Sequence, residues 1–212
     1  MTTLMIEAGP VAPAARVTRT GGVPLAPAGT PWPRCTSCDG PMQFLAQVVL
    51  ADLGYGTTDH AVLALFACQN DPGMCDDWEP DSGGNQALLF PADALQPLPR
   101  PADGADEALL LGSVRAVGLV RVDAPEYGRA REEWAAAHGR PATSVLGQLG
   151  GRPAWLQGDE TPSCASCAAP MPLIVQLEEG PDHGTAMNFG GSGSAYAFAC
   201  APCGHAKFLW QC

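Results

Sequence analysis

The cysteine pair at positions 35 and 38 returns 129 residues later at 164 and 167, and the likeness extends well beyond the thiols. "PRCTSCDGPM" (33–42) matches "PSCASCAAPM" (162–171). Without a gap, 21–48 and 150–177 agree at eleven of 28 positions, among them Gly21/Gly150, Gly22/Gly151, Pro24/Pro153, Cys35/Cys164, Cys38/Cys167, Met42/Met171 and Gln47/Gln176. Residues that set turns are the ones held in register, which reads as an internal duplication. Each copy then runs into a second apolar segment ending on a cysteine. "AVLALFACQNDPGMC" supplies Cys68 and Cys75, and "AYAFACAPC" supplies Cys200 and Cys203. A chain so built is expected to fold as two related modules, each organised around four thiols.

Two cysteines separated by two residues on a tight turn aim both sulfurs at one point, and two such pairs on neighbouring strands complete a tetrahedron around zinc. Within each copy the grouping is therefore Cys35, Cys38, Cys68 and Cys75, then Cys164, Cys167, Cys200 and Cys203, implying two zinc ions per chain. Eight of the nine cysteines fall into these pairs and only Cys212 is left over. Disulfides or buried free thiols are the competing reading. Redox chemistry needs a pair at a helix N-terminus with a lowered thiol pKa, whereas Pro and Gly surround these pairs. Four thiolates leave no open position on the metal, so scaffolding rather than catalysis is expected.

Composition narrows the class. Gly and Pro fill 46 of the 212 positions, which points to turns and short strands. The net charge is −11 and only Arg34 adjoins a cysteine pair, an arrangement that repels nucleic-acid phosphates and would steer a basic protein partner inward. The first residues, "MTTLMIEAGPVAPAARV", lack a basic leader with a long apolar core, and the apolar runs are far shorter than a membrane helix requires. A cytoplasmic location, in a reducing compartment, is the expectation, with no membrane contact.

The expected fold class is α+β and β-rich. Residues 1–20 read as a loose arm or an edge strand, 21–90 as the first repeat, 91–149 as linker, strand pair and helix, and 150–212 as the second repeat. "MQFLAQVVL", "AVLALFAC", "QALLF", "PLIVQL", "AYAFAC" and "KFLWQ" have the length and punctuation of strands. "EALLLGSVRAVGLVRV" suits a strand pair, although its Leu-rich half is compatible with a helix. "APEYGRAREEWAAAHG" is a helix with Pro125 near its start and Gly139 as its stop, placed between the copies to pack across their junction. "PADALQPLPRPADGADE" (91–107) reads as a linker, and "NFGGSGSAYAF" as a hairpin turn.

The remaining chemistry-bearing residues have ordinary readings. His205 follows Cys203 by two and could replace a cysteine ligand, but suits a surface residue better. His60, His138 and His183 read as loop or helix-end residues, and Cys212 as a partly buried thiol. The acids Asp71, Asp76, Asp77, Glu79 and Asp81 surround Cys75 as a solvated loop or a landing surface for basic side chains. Trp32, Trp78, Trp155 and Trp210 suit the core or, where exposed, the lining of a groove. No serine–histidine–acid order or metallohydrolase motif is present.

The combination of "GG-x-P", the cysteine pair with "P-M-x-F-L-x-Q", "LFAC" and the closing "AFAC-x-x-C…FLWQC" resembles the YwqG-like family, allied to eukaryotic programmed cell death protein 2, over about residues 15 to 212. The resemblance implies a duplicated β-rich architecture and zinc at Cys35, Cys38, Cys68, Cys75, Cys164, Cys167, Cys200 and Cys203. It offers no family-wide catalytic residues. It implies a chaperone-like or immunity-like role toward a protein or peptide, with an RNA-processing or ribosome-associated factor as the alternative and a thiol-based enzyme as a weaker one. A non-catalytic zinc-binding protein is the expectation.

Overall fold

Strands whose two faces are both apolar, such as "VLALFA" and "SAYAFAC", need a core on each side. The computed structural model, which describes residues 1–71, 73–101, 109–180 and 187–212, supplies both. The strands are β1 (Thr2–Pro10), β2 (Arg19–Thr20), β3 (Leu25–Ala26), β4 (Gln43–Val49), β5 (Val62–Ala67), β6 (Asn85–Phe90), β7 (Gln96–Pro97), β8 (Arg115–Val122), β9 (Val145–Leu149), β10 (Leu173–Glu178), β11 (Ser194–Cys200) and β12 (His205–Gln211). One α-helix among the described residues, α1 (Tyr127–His138), and three 3-10 turns complete the set. Ten strands form one sheet in the order β12-β11-β10-β9-β1-β8-β2-β4-β5-β6, while β3 and β7 pair separately. The two ends of the sheet, β6 and β12, lie against each other, so it nearly closes into a barrel. Among the described residues, no helix is long and apolar enough to cross a membrane.

The strand order reads outward alike from the central β1/β8 pair: β2-β4-β5-β6 on one side and β9-β10-β11-β12 on the other. Local details recur at the 129-residue offset. The β4–β5 ladder shifts register between Phe44 and Ala46, and the β10–β11 ladder between Leu173 and Val175. That bulge lets consecutive residues Leu45 and Ala46, or Ile174 and Val175, both enter the shared interior. Phe44 and Leu173 turn to outer cores beneath the cysteine loops. A buried glutamine repeats as well. Gln47 Oε1 accepts the Leu25 N–H at 2.8 Å, and Gln176 Oε1 accepts the Ala154 N–H at 2.9 Å. Each ties its GG-x-P segment across the outer face of the sheet.

Three sequence expectations change. Residues 2–10 form neither a loose arm nor an edge strand: β1 pairs with β8 on one side and β9 on the other. Leu4 and Met5 are both fully buried because α1 covers one face of β1 and the barrel interior takes the other. The expected strand pair in 107–122 yields a single strand among the described residues 109–122, β8, whose two edges are occupied by β1 and β2. Preceding it, Leu110 is bonded through both its N–H and C=O to the Gln43 side chain instead of a ladder. The linker 91–107, of which 102–107 lie outside the described residues, is anchored in part. Leu95 and Leu98 are buried, and β7 pairs with β3.

The helix is where the sequence puts it. Tyr127, Ala130, Trp134 and Ala135 face β1 and β8 at the junction of the halves, and Gly139 closes the helix in the left-handed region at φ 60°. Arg19 is fully buried at the junction too; its guanidinium donates to the carbonyls of Pro13 (2.6 Å) and Val23 (2.5 Å), and burial lowers its pKa to about 10.

The buried glutamines carry a stability prediction. Replacing Gln47 with Ala leaves the fully buried Leu25 N–H without its acceptor, a loss of about 1 to 3 kcal/mol in urea denaturation. An unchanged midpoint would show that this bond does not hold the segment.

Candidate metal centres

The two CxxC turns have one geometry. The Cys35 N–H donates to Gly40 O (3.0 Å), the Asp39 N–H to Cys35 O (2.9 Å) and the Met42 N–H to Pro33 O (2.9 Å). In the other half the Cys164 N–H donates to Ala169 O (2.9 Å), the Ala168 N–H to Cys164 O (2.9 Å) and the Met171 N–H to Pro162 O (2.8 Å). Asp39 and Ala168 both take the left-handed conformation, at φ 56° and 58°. The turn folds back on itself and presents its two sulfurs and several amides to one side.

The second pair of each centre comes from a strand end. Cys68 follows β5, and its N–H donates to Gly84 O at 2.7 Å. Cys75 returns on a longer loop that crosses directly over Gly84, where a Cβ would stand 2.2 Å from the Cys75 carbonyl oxygen. Cys200 ends β11, and Cys203 closes the 3-10 turn Ala201–Cys203, with Gly204 in the left-handed region at φ 71°.

All eight cysteines singled out by spacing are thereby gathered into two groups of four, within each of which the sulfurs lie inside 4.8 Å of one another. Cys38 and Cys68 sulfurs are 3.7 Å apart, and those of Cys167 and Cys200 are 3.9 Å apart. A tetrahedron with zinc–sulfur bonds of about 2.3 Å has edges of ~3.8 Å, so the donor sets fit zinc. The thiols are unbridged. Cys35, Cys38, Cys68 and Cys75 would hold one ion and Cys164, Cys167, Cys200 and Cys203 the other. Such an ion supplies charge neutralisation and a rigid four-way junction.

Electrostatics prepares the sulfurs unevenly. Burial raises the Cys38 thiol, but the Gly40 N–H, the Asn70 amide and the Cys68 and Cys35 thiols outweigh it and bring it to about 7. Cys164 drops to about 6, led by the Cys167 N–H against the opposing effect of burial. Burial first, then neighbouring sulfurs, push Cys68 up to about 11 and Cys75 higher still. In the second centre the Cys200 and Cys167 thiols push Cys203 up to about 12. In the protein alone, then, each group contains both readily ionised and reluctant thiols. A cation at the centre reverses the penalty on the reluctant ones and displaces their protons.

Asn70 escapes the repeat pattern. Its Nδ2 donates toward the Cys68 sulfur at 3.3 Å and the Cys38 sulfur at 3.5 Å, and to Pro41 O at 3.2 Å. The loops after Cys68 and Cys200 differ in length, so no partner position draws attention to it. His205 stays outside the second group and shares a 2.7 Å hydrogen bond with Ser166. His60 reaches across the molecule to Ala201 O at 2.7 Å, and His138 stacks on Trp134. His183 lies outside the described residues. Cys212, expected to be partly buried, is exposed. Of the acidic loop, Asp77 is buried against the Trp210 indole N–H at 3.2 Å, while Asp71, Asp76, Glu79 and Asp81 are exposed, Asp81 with its carboxylate paired to Lys207. Trp32, Trp78, Trp155 and Trp210 are all half-buried against other aromatic side chains.

Compared with known families, residues 18–201 match a domain of unknown function, DUF1963. No curated protein matches the chain.

Two measurements check the centres. Because ligation requires thiolates, zinc should leave as pH falls and protons reclaim the sulfurs, read with a colorimetric zinc indicator during acid titration; zinc still bound in acid strong enough to protonate every thiol would contradict thiolate ligation. Asn70→Ala removes the donor to two sulfurs of the first centre and should weaken zinc there by roughly 10- to 100-fold in chelator competition, the usual range for partners of metal ligands.

Proposed function

The chain belongs to the DUF1963 family, the domain of YwqG-like proteins, and we propose that it is a non-catalytic zinc-binding protein that holds a protein or peptide partner. The observation that carries the reading is the pair of four-sulfur groups, each with enough thiols to close the coordination sphere of its ion. A closed sphere leaves the metal no position for substrate, so its work is to fix loops. The recurrence of strand order, bulge and glutamine bond supports descent of the two halves from one duplicated module.

The partner surface we favour is the outer loop face around the first centre. Asp71, Asp76 and Glu79 are exposed there, as is Asp81 in its pair with Lys207, only Asp77 of the five is buried, and the whole chain carries −11. A basic protein or peptide is the complement. A sheet edge is the less suitable surface, because β6 and β12 lie against each other.

Charge reversal tests the partner reading. The triple variant D71K/D76K/E79K should keep its zinc and lose a stoichiometric partner recovered from native lysate with the unaltered chain. Equal recovery by both would move the binding surface elsewhere. The metal reading has its own test. Structural zinc contributes an apparent ~10 to 16 kcal/mol per site in small peptides. Even about 5 kcal/mol of it would lower the melting temperature by roughly 10 to 20 °C in a chain of this size. Melting unchanged after a chelator has removed the metal would remove the structural role.

A further inference from the structure

Each set of cysteines is assembled within one half of the chain, yet the loop that delivers its last cysteine is fastened to the other half. The loop following Cys75 lies on β12: Trp78 O accepts the Trp210 N–H at 3.2 Å, the Asp77 carboxylate accepts the Trp210 indole N–H at 3.2 Å, and Asp81 pairs with Lys207. The Trp78 and Trp210 rings meet edge to face at 6.2 Å. These contacts span the place where β6 and β12 face each other and the sheet closes.

The other centre is fastened in the opposite direction. The turn Ala201–Cys203 receives two residues from the β4–β5 connection of the first half. Tyr55 Oη donates to Ala199 O at 3.1 Å and accepts the Ala201 N–H at 3.1 Å, and His60 bonds to Ala201 O at 2.7 Å. The His60 ring packs so closely over Gly204 that a Cβ there would stand 2.8 Å from its Nε2.

We propose that the two metal centres are reciprocal staples between the halves. Metal at Cys35, Cys38, Cys68 and Cys75 holds the β6–β12 seam shut through Trp78 and Asp77, and metal at Cys164, Cys167, Cys200 and Cys203 holds the β4–β5 connection through Tyr55 and His60. Loss of one ion releases one junction and leaves the other closed, so the barrel has two independently removable fastenings. The inference rests on the zinc reading above.

Hydrogen exchange read by mass spectrometry, with zinc counted in the same samples, tests it. Cys75→Ser should retain one zinc, and exchange of the Trp210 amide should rise by at least ~10-fold while residues 50–61 keep the unaltered rate. Cys203→Ser should do the converse. Two variants that keep all eight thiols guard against a failure to fold. Because coupling is reciprocal, Trp78→Ala should weaken the first zinc about fivefold or more in equilibrium competition with a chelator, and His60→Ala the second. Exchange changes confined to the mutated centre's own loops, or identical changes from both cysteine variants, would overturn the staple while leaving the zinc assignment intact. Absence of zinc from the unaltered chain would overturn both.

Discussion

Bringing four thiols to one point is unfavourable unless a cation joins them: thiolates repel each other, and protonated thiols are weak hydrogen-bond partners. The opposing thiol shifts within each group express that conflict. Cys38 and Cys164 are drawn toward ionisation by amide donors, while Cys68, Cys75 and Cys203 are held back by burial and by the other sulfurs. A divalent ion resolves both effects together. The CxxC turns, the strand ends at Cys68 and Cys200 and the crossing over Gly84 converge so that the four sulfurs of each group lie within 4.8 Å of one another.

Two features of the sheet accompany the cysteine groups. Strands β4, β5, β10 and β11 are buried on both faces, by the shared interior within and by an outer core beneath each cysteine loop, which is how runs such as "VLALFA" find apolar surroundings throughout. The sheet's edges are brought together as well. An open ten-stranded sheet would present β6 and β12 as unpaired edges, and edges invite unwanted pairing. Here they cover one another, and the loop carrying Cys75 crosses the join.

The two four-cysteine groups were legible in the sequence because their geometry is local. A CxxC turn fixes two sulfurs within four residues, and an apolar strand ending on cysteine brings the next within reach. The helix and its stop at Gly139 were legible for the same reason. What escaped depends on distant parts of the chain. "TTLMIEAGP" carries no mark of a central strand, since its neighbours β8 and β9 lie more than a hundred residues away. Gln47 and Gln176 stood out as a matched pair, but their task as acceptors for the GG-x-P segments shows only once that segment is laid over the sheet. Asn70 and His60 were hidden because loop lengths differ between the halves and their partners lie across a fold, not along a repeat.

Zinc K-edge X-ray absorption of the purified chain tests the central claim most directly. The account predicts two zinc ions per chain, each surrounded by four sulfur atoms at about 2.3 Å with no nitrogen or oxygen in the shell. A mixed shell, a single ion, or sulfurs found joined to one another would contradict it.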